Sequence, residues 1–326
     1  MSGRILRANL LLAIAAVLLF GLSLMAGKAW VPLSAWLEGG QGWWIIFELR
    51  LPRAILAASI GAVLGLSGAV LQGYLRNPLA DPALIGVSSS AALGAVTAIF
   101  LGFAGSSAIV FGSAMAGAAL AMALLALLVG RSGSAIGFIL AGMVLSSLSG
   151  SLTAFLISIS PNPFATAEIV SWLMGALTDR SFDDILLALP FMAAGALILA
   201  FTGRALDLLN LGEETARSLG LNLGRIQAII VVGLGLAVGA SVAVSGVVGF
   251  VGLIVPHLVR PLVGQKPSAL LLPSALGGAA LLLAADSLVR LIPGPGEIRL
   301  GIAMALIGTP FFFALLISMR RRASWG

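Results

Sequence analysis

The chain contains no cysteine, one histidine and one tyrosine, and only 9% of its 326 residues are charged. The absence of cysteine excludes disulfide bonds and metal sites built from thiolates. Soluble domains carry about 25% charged residues, so the low charge excludes an ordinary water-soluble protein. The sequence also lacks a Gly-x-x-x-x-Gly-Lys-Ser/Thr loop. Nucleotide chemistry of the P-loop kind therefore has to lie on another chain.

Hydrophobic residues make up 60% of the sequence, and its mean hydropathy is +1.14. The 49 residues from Pro82 to Gly130 contain no charge, whereas a membrane-spanning helix needs about 20 apolar residues. The predicted fold class is therefore an all-α polytopic membrane protein, with the lipid bilayer as its first partner. The isoelectric point of about 11.2 reflects scarce carboxylates rather than a basic surface, so no nucleic-acid partner is expected.

Ten apolar segments are predicted to span the membrane. The first follows Arg4 and Arg7, and it is longer than the apolar part of a signal peptide, so we interpret it as a retained helix. The predicted spans are 8–27, 54–75, 83–102, 107–130, 134–159, 185–203, 226–245, 247–263, 268–285 and 300–319. An even number of spans leaves both termini on the same side of the membrane.

Loop charges predict the orientation of these spans. If both termini are cytoplasmic, the inner loops and termini carry twelve cations and four anions, and the outer loops carry six cations and eight anions. This distribution follows the positive-inside rule. We therefore expect cytoplasmic termini.

The segment between Arg225 and Arg260 is short for two full spans. It contains Gly246, Gly249 and Gly252, which predict a helix that is broken or partly re-entrant, as membrane proteins tolerate where other protein covers the backbone. Small residues four apart also predict close helix packing elsewhere. The two pairs are Gly61/Gly65 and Gly235/Gly239.

Several ordered motifs resemble those of the FecCD-type permeases, the membrane subunits of ABC importers for iron-siderophores, haem and cobalamin. The similar segments are 51–53 (Leu-Pro-Arg), 61–73, 76–82 (Arg-Asn-Pro-Leu-Ala-Asp-Pro), 86–89, 249–260 and 301–312. Together they extend from about residue 47 to 317. One local departure is Gln265-Lys266-Pro267, which stands where the family has Asp-His-Arg.

The resemblance implies one permease domain over residues 1–326 with ten helices, in the bacterial inner membrane. It implies import of an iron chelate, a siderophore or haem, by alternating access, with cobalamin as the alternative cargo. The partners would be a second copy of the chain, two cytoplasmic ATPases that hold ATP and Mg, and a periplasmic substrate-binding protein. This chain would bind no cofactor and catalyse no reaction itself.

The longest inner loop, 204–225, is the expected coupling loop. Asn210 followed by Glu213 resembles a capping box, and Gly220 is a suitable helix stop, so a short surface helix is predicted. By the resemblance, this helix is seated in the ATPase. The residues expected to make that contact are Glu213, Glu214, Ala216, Arg217 and Gly220.

A polar turn separates the second and third spans. Pro78 and Pro82 end the preceding helix, because each removes a backbone donor and restricts the residue before it. The charge distribution places this turn on the cytoplasmic side. We therefore interpret Arg76, Asn77, Pro78 and Asp81 as part of an inner gate and scaffold.

Arginines at the outer helix ends are candidates for docking the binding protein. The resemblance implies that Arg50, Arg53 and one arginine before the last helix pair with carboxylates of that partner, a task that suits the guanidinium fork. Arg290 is preferred over Arg299 for the third position.

The resemblance places the transport pathway along Leu140–Trp172 and Leu300–Phe313. Ser146, Ser147, Ser149 and Ser151 either line it or bond to their own helix. Residues 167–177 are predicted to form an outer re-entrant or surface helix, with Trp172 and Met174 as pathway candidates.

Two other classes of protein share single features of this sequence. An ion-coupled carrier needs ionisable groups within the membrane, and Asp286 comes closest to meeting that need. An intramembrane serine protease could use Ser67, in Gly-Leu-Ser-Gly, together with the single histidine, His257. We interpret His257 as a structural residue.

Overall fold

The structure is a computed structural model that describes residues 3–32, 34–38, 40–130, 135–294 and 296–323. Residue 134, where the fifth predicted span begins, lies outside these ranges. Within them every regular element is a helix, and no strand occurs. The predicted all-α fold is confirmed.

Fifteen α-helices follow one another in the described part of the chain. In order they are α1 (Gly3–Met25), α2 (Ala35–Glu38), α3 (Gln41–Trp44), α4 (Leu51–Tyr74), α5 (Val87–Phe100), α6 (Ser107–Val129), α7 (Ala135–Ser158), α8 (Pro163–Leu173), α9 (Phe182–Ala200), α10 (Gly203–Leu209), α11 (Glu213–Ser218), α12 (Leu223–Ser245), α13 (Val251–Val263), α14 (Pro267–Leu291) and α15 (Leu300–Ala323). A π-helical stretch, Ile45–Arg50, joins α3 to α4, and a 3₁₀ turn, Pro82–Ile85, precedes α5.

Eight helical segments are long and apolar enough to cross a membrane. They are α1, the continuous segment Gln41–Tyr74, α6, α7, α9, α12, α14 and α15. A polytopic membrane protein is therefore confirmed. The predicted spans 83–102 and 247–263 are shorter than expected, because α5 and α13 have only 14 and 13 residues. At 1.5 Å per residue each covers about 20 Å of the roughly 30 Å hydrocarbon layer.

A break between α12 and α13 confirms the predicted interruption. Gly246 and Phe250 both have φ of 69°, and the chain between them is not helical. A side chain at Gly246 would overlap the carbonyl oxygen of Trp172. The end of α8 fills the break, and the backbone N–H of Ala176 donates to the carbonyl of Ser245 at 2.8 Å. Other parts of the protein thus cover the non-helical backbone of the break. Non-helical backbone within a membrane needs such cover, because lipid offers it no hydrogen-bond partners.

Glycine contacts hold α4 against α14. A Cβ at Gly61 would overlap the carbonyl oxygen of Gly278, and a Cβ at Gly65 would overlap that of Ser274. The predicted close packing at Gly61 and Gly65 is confirmed. A second predicted pair, Gly235/Gly239, packs on Met122 and Ala118 of α6.

The coupling loop contains two helices instead of one. The capping-box prediction is wrong, because Asn210 ends α10 and Gly212, with φ of 103°, precedes α11. The predicted stop at Gly220 is confirmed. Its φ is 87°, and its N–H donates to the carbonyl of Arg217 at 2.9 Å. The N–H of Leu221 donates to the carbonyl of Ala216, which completes a glycine-dependent C-terminal cap.

Helix α8 begins and ends four residues earlier than predicted. Asn162 begins it, because its side-chain oxygen accepts from the N–H of Ala165 at 2.9 Å. Pro163 occupies the first helical position, where its missing donor costs nothing.

Candidate functional site

The polar turn 76–82 and the coupling loop meet at one end of the bundle, called here the inner end. Arg76 Nη2 lies 3.1 Å from Glu213 Oε1. Two sets of residues that were predicted separately, and that are 137 positions apart, are therefore in direct contact. Both side chains are about two-fifths to one-third exposed, so the ion pair orients the two segments more than it stabilises them.

Helix α11 presents a mixed surface at this end. Glu214 and Arg217 are exposed, whereas Ala216 is fully buried. A direct contact between Ala216 and another protein is therefore excluded in this structure, and Ala216 instead anchors α11 to the bundle. Sequence reasoning missed Leu211 and Leu219, which are 61% and 58% exposed on either side of α11. The available signal in the sequence was a leucine on each side of the charged segment 213–217.

The turn itself is held by short-range hydrogen bonds. Asn77 Oδ1 accepts from the N–H of Leu79 at 2.9 Å, and Asp81 Oδ1 accepts from the N–H of Ala83 at 2.8 Å. Such side chain to backbone bonds mimic a turn and fix its shape. Pro78 lines an inner cavity of about 520 Å³ between the turn, α13 and α15. The residues predicted as gate and scaffold thus form one compact turn beside a cavity.

Asp81 also contacts the start of α13. Its buried Oδ2 lies 3.2 Å from the position that a Cβ at Gly252 would occupy. Burial raises the pKa of this carboxyl, and the nearby backbone N–H groups of Ala83 and Leu253 oppose the shift in pKa only in part. Asp81 therefore joins the turn to the half-length helix α13.

This shift predicts a pH-dependent stability. Between the ordinary pKa of an aspartate and the raised pKa of Asp81, the folded protein binds more protons than the unfolded chain, so stability falls as pH rises through that window. We expect the melting temperature of Asp81→Asn in detergent to fall less than that of the wild type between about pH 4 and pH 8. Equal slopes for both proteins would contradict this assignment.

A chain of side-chain bonds links α4 to α13, and it was not predicted. Gln72 Nε2 donates to the carbonyl of Gly252 at 3.2 Å, and Arg260 Nη2 donates to Gln72 Oε1 at 2.8 Å. The close contact of Gly68 with Gly252 brings these helices together. No residue pattern along the chain indicates a pairing between positions so distant in sequence.

At the opposite, outer end, Arg53 and Arg290 share one carboxylate. Arg53 Nη2 and Nε both lie 2.9 Å from Asp286 Oδ1, and Arg290 Nη2 lies 3.1 Å from Asp286 Oδ2. Glu297 contributes a second carboxylate, 2.8 Å from Arg53 Nη1. Asp286 has no exposed surface at all. These four residues form what is called here the outer ion cluster.

The remaining donors of Arg290 and those of Arg50 bind the end of α1. Arg290 Nη1 donates to the carbonyls of Ser23 and Ala26, both at 3.0 Å. Arg50 Nη1 donates to the carbonyl of Met25 at 2.6 Å, and its Nη2 donates to that of Ala29. Carbonyl groups at a helix C-terminus have no partner within the helix, and cations there are favourable. The arginines thus fasten α1 to α4 and α14.

The predicted docking arginines are consequently buried in this structure. Arg50, Arg53 and Arg290 are 8%, 8% and 4% exposed. Each is bonded to atoms of this chain, so none presents a free guanidinium group to a binding protein here. Arg299 is partly exposed and donates to the hydroxyls of Ser171 and Thr178, at 2.5 and 3.2 Å. The docking role stays a prediction for all four arginines.

The predicted pathway residues lie on two separate surfaces. Ser147 and Ser151 are exposed on α7, and Ser146 is partly exposed there, whereas Ser149 is buried and bonded to Ser90 Oγ at 2.7 Å. Met174 is 40% exposed at the end of α8. Trp172 lines a cavity of about 100 Å³ together with Glu168, Arg180 and Asp184, and no residue of α7 lines that cavity. The structure therefore does not bring the serines and Trp172 together.

The two rival classes of protein gain no support from the described residues. Ser67 is fully buried, and its Oγ has no hydrogen-bond partner there, so His257 does not activate it. His257 instead packs edge-on against Phe311, with ring centroids 5.7 Å apart. Asp286, the candidate carboxylate for an ion-coupled carrier, is committed to two arginines.

The chain is similar to known membrane transport proteins over most of its length. A model of the FecCD transport family matches residues 14–318. The cobalamin import system permease protein BtuC of Halobacterium salinarum is 40% identical over 86% of this chain and 75% of its own length. The hemin transport system permease protein HmuU of Yersinia pestis is 37% identical over 86% of both chains.

A solved structure is similar over nearly the whole chain. It is described as an inward-facing conformation of a metal-chelate type ABC transporter, with a TM-score of 0.86 and 35% identity, and the match covers 96% of this chain and 99% of that one. Permeases of this type import substrate together with ATPase subunits and substrate-binding proteins, and they do not hydrolyse ATP themselves. The chain is a multi-pass membrane protein that belongs to the FecCD transport family of ABC importer permeases.

Proposed function

We propose that the chain imports a metal chelate across the bacterial inner membrane as one half of a homodimeric permease. An iron chelate, a siderophore or haem, is the preferred cargo, and cobalamin is the alternative. The relatives named for hemin and cobalamin support this range of bulky metal-containing cargoes. The chain binds no cofactor in this proposal, and ATP and Mg belong to the ATPase.

The inner end is the proposed ATPase seat, and the pairing of Arg76 with Glu213 is the observation that carries this assignment. It holds α11 beside the turn 76–82, with Leu211, Glu214, Arg217 and Leu219 exposed at the surface. Two exposed leucines next to charged groups fit an interface with an apolar centre and a polar rim. Gly220 ends the helix and limits the seat to less than two turns.

The dimer is supported by the uncovered faces of α7 and α15. Only 22% of the apolar stretch of each helix is buried within the chain, a fraction that α1 shares, so the burial leaves these faces free without singling them out. The resemblance assigns these two helices to the pathway, so the second copy would face them across it. Isologous contact of the same surfaces is the usual geometry of a twofold dimer.

Reconstitution tests the cargo and the direction of transport. The permease and its ATPase would be reconstituted in proteoliposomes, and the substrate-binding protein would be added with the substrate. Uptake of a ⁵⁵Fe-labelled chelate would then be compared with uptake of labelled cobalamin. The expected result is ATP-dependent iron accumulation, with cobalamin transported much less. Preferred cobalamin uptake would select the alternative, and uptake driven by an ion gradient without ATP would overturn the proposal.

The ATPase seat makes a separate prediction. Leu219→Asp should reduce co-purification of the ATPase by about tenfold or more, because it places a charge in the apolar centre of the interface. Leu101→Asp is the matched control, since Leu101 is 62% exposed in the turn after α5, at the outer end. The control should co-purify the ATPase as the wild type does. Equal recovery for both variants would remove α11 from the interface.

A further inference from the structure

The first turn of α14 lacks a capping residue of its own. Lys266 occupies the N-cap position and makes no side-chain cap, and Pro267 follows it. Lysine is a poor N-cap because it cannot accept a hydrogen bond from the free backbone N–H groups of the first turn. These two residues also belong to the segment that departs from the family pattern.

Asp207 of α10 supplies the missing acceptor. Its Oδ1 accepts from the N–H of Ser268 at 2.9 Å, and its Oδ2 accepts from the hydroxyl of Ser268 at 2.7 Å. Lys266 Nζ lies 3.3 Å from the same Oδ2. A carboxylate at a helix N-terminus is favoured both by these bonds and by the helix dipole. The cap of α14 is therefore provided across a gap of 61 positions by another helix.

Asp207 lies on the segment that leads directly into the proposed ATPase seat. Helix α10 ends at Leu209, and α11 begins at Glu213. Polar contacts therefore attach the pair α10–α11 to the bundle at both of its helices. Glu213 pairs with Arg76 at the start of the turn after α4, and Asp207 binds the start of α14.

Helix α14 connects this attachment to the outer end. It is continuous from Pro267 to Leu291, which at 1.5 Å per residue is about 37 Å. Its backbone is in direct contact with α4 at Gly61 and Gly65, and its last turns carry Asp286 and Arg290 of the outer ion cluster. Helix α14 therefore reaches from the cap at Ser268 to the end of the bundle that faces the binding protein in the predicted orientation.

We propose that Asp207 is a positioning residue for coupling. It ties α10–α11 to α14, so that movement of the ATPase at α11 displaces α14 together with α4. This inference rests on the proposed function, because it takes α11 as the ATPase seat. It adds the path by which movement of α11 reaches α14. It also explains the segment Gln265-Lys266-Pro267, whose lysine pairs with Asp207.

The experiment must distinguish two roles of Asp207: attaching α10 to α14, and capping the first turn of α14. Asp207→Ala removes both the attachment and the cap. The double variant Asp207→Ala with Lys266→Ser restores a local N-cap to α14, because serine accepts from the first-turn N–H groups, but it leaves α10 unattached. Asp207→Asn keeps an acceptor for the N–H of Ser268. Each variant would be purified with its ATPase and reconstituted with the binding protein, and melting temperature, ATP hydrolysis and substrate uptake would be measured on the same preparation.

Asp207→Ala is expected to lower uptake by about tenfold while ATP hydrolysis stays within about twofold, which raises the ATP consumed per substrate carried. The double variant should regain the wild-type melting temperature but not the uptake, and Asp207→Asn should retain most of both. Two results would overturn the proposed role of Asp207 in coupling: wild-type uptake in the double variant, or unchanged uptake in Asp207→Ala. Failure of the wild-type complex to transport or to bind its ATPase would count against the proposed function instead.

Discussion

Replacement of Asp286 by alanine is expected to lower the free energy of unfolding by about 3–5 kcal/mol, because it leaves two buried arginines without their shared counter-charge. Arg290 would be affected most. Its guanidinium group is 4% exposed and has no other carboxylate partner in the described part of the chain. Arg53 would keep Glu297. The measurement is the thermal melting of the detergent-purified protein, followed by size-exclusion chromatography.

Two further variants make this prediction specific. Asp183→Ala removes an exposed carboxylate near the start of α9 and should change stability by less than about 0.5 kcal/mol. The double variant Asp286→Leu with Arg290→Leu removes both members of a pair and leaves Arg53 with Glu297. Because a buried ion pair can often be replaced by apolar side chains at little cost, it should recover part of the lost stability. The rest stays lost, because the buried carbonyls of Ser23 and Ala26 no longer have the guanidinium donor of Arg290. If Asp286→Ala has the same melting temperature as the wild type, the outer ion cluster does not contribute to stability.

The contact between α4 and α14 predicts an effect of similar size. Gly61→Val is expected to destabilise the protein by about 3 kcal/mol or more, since its Cβ would overlap the carbonyl oxygen of Gly278. The obstacle is backbone, so relief requires the two helices to separate and cannot come from a rotamer change. Separation would also displace the outer ion cluster, because Arg53 lies on α4 and its partner Asp286 lies on α14. Uptake should therefore fall along with the melting temperature.

Gly112→Val on α6 is the matched control. Gly112 also lies within a membrane-spanning helix, but it is exposed, and no other atom lies within 4 Å of a Cβ placed there. Only the helix preferences of the two residues differ there, and because valine is slightly favoured over glycine within a helix, a change of no more than about 0.5 kcal/mol in the stabilising direction is expected. Equal melting temperatures for Gly61→Val and the wild type would show that α4 and α14 do not pack as described.

Helix positions were readable from the sequence because the bilayer imposes them. Long apolar runs such as 107–130 and 226–245 became α6 and α12 within three residues at each end. Glycines four residues apart also predicted close helix packing correctly. Gly61 and Gly65 lie where the backbone of another helix approaches too closely for a side chain. Capping was less readable. Asn210 and Glu213 have the spacing of a capping box, but α10, which was not predicted, ends at Asn210 and removes it from that role.

The site was only partly predictable. The sequence indicated which charged residues matter, but it did not indicate which residues they pair with. The motif around Arg53 indicated a functional arginine, yet Asp286 lies 233 positions away, and the shared burial of both residues depends on the packing of α4 against α14. The same holds for Asp207, whose partner Ser268 is reached only when α10 lies beside the start of α14. Leu211 and Leu219 were overlooked, since exposure is a property of the folded surface.

The class, the family and most of the membrane helices follow from the amino-acid sequence alone, because hydrophobicity, proline and glycine act locally and the motifs are contiguous in the chain. The contacts that those residues make follow from tertiary packing. The packing bonds Arg50, Arg53 and Arg290, whose docking role stays a prediction, to groups of this chain, and it joins the turn at Arg76 to the coupling loop at Glu213. An ion pair or a cap depends on distance in space, and the distance between remote positions is set by the packing of whole helices.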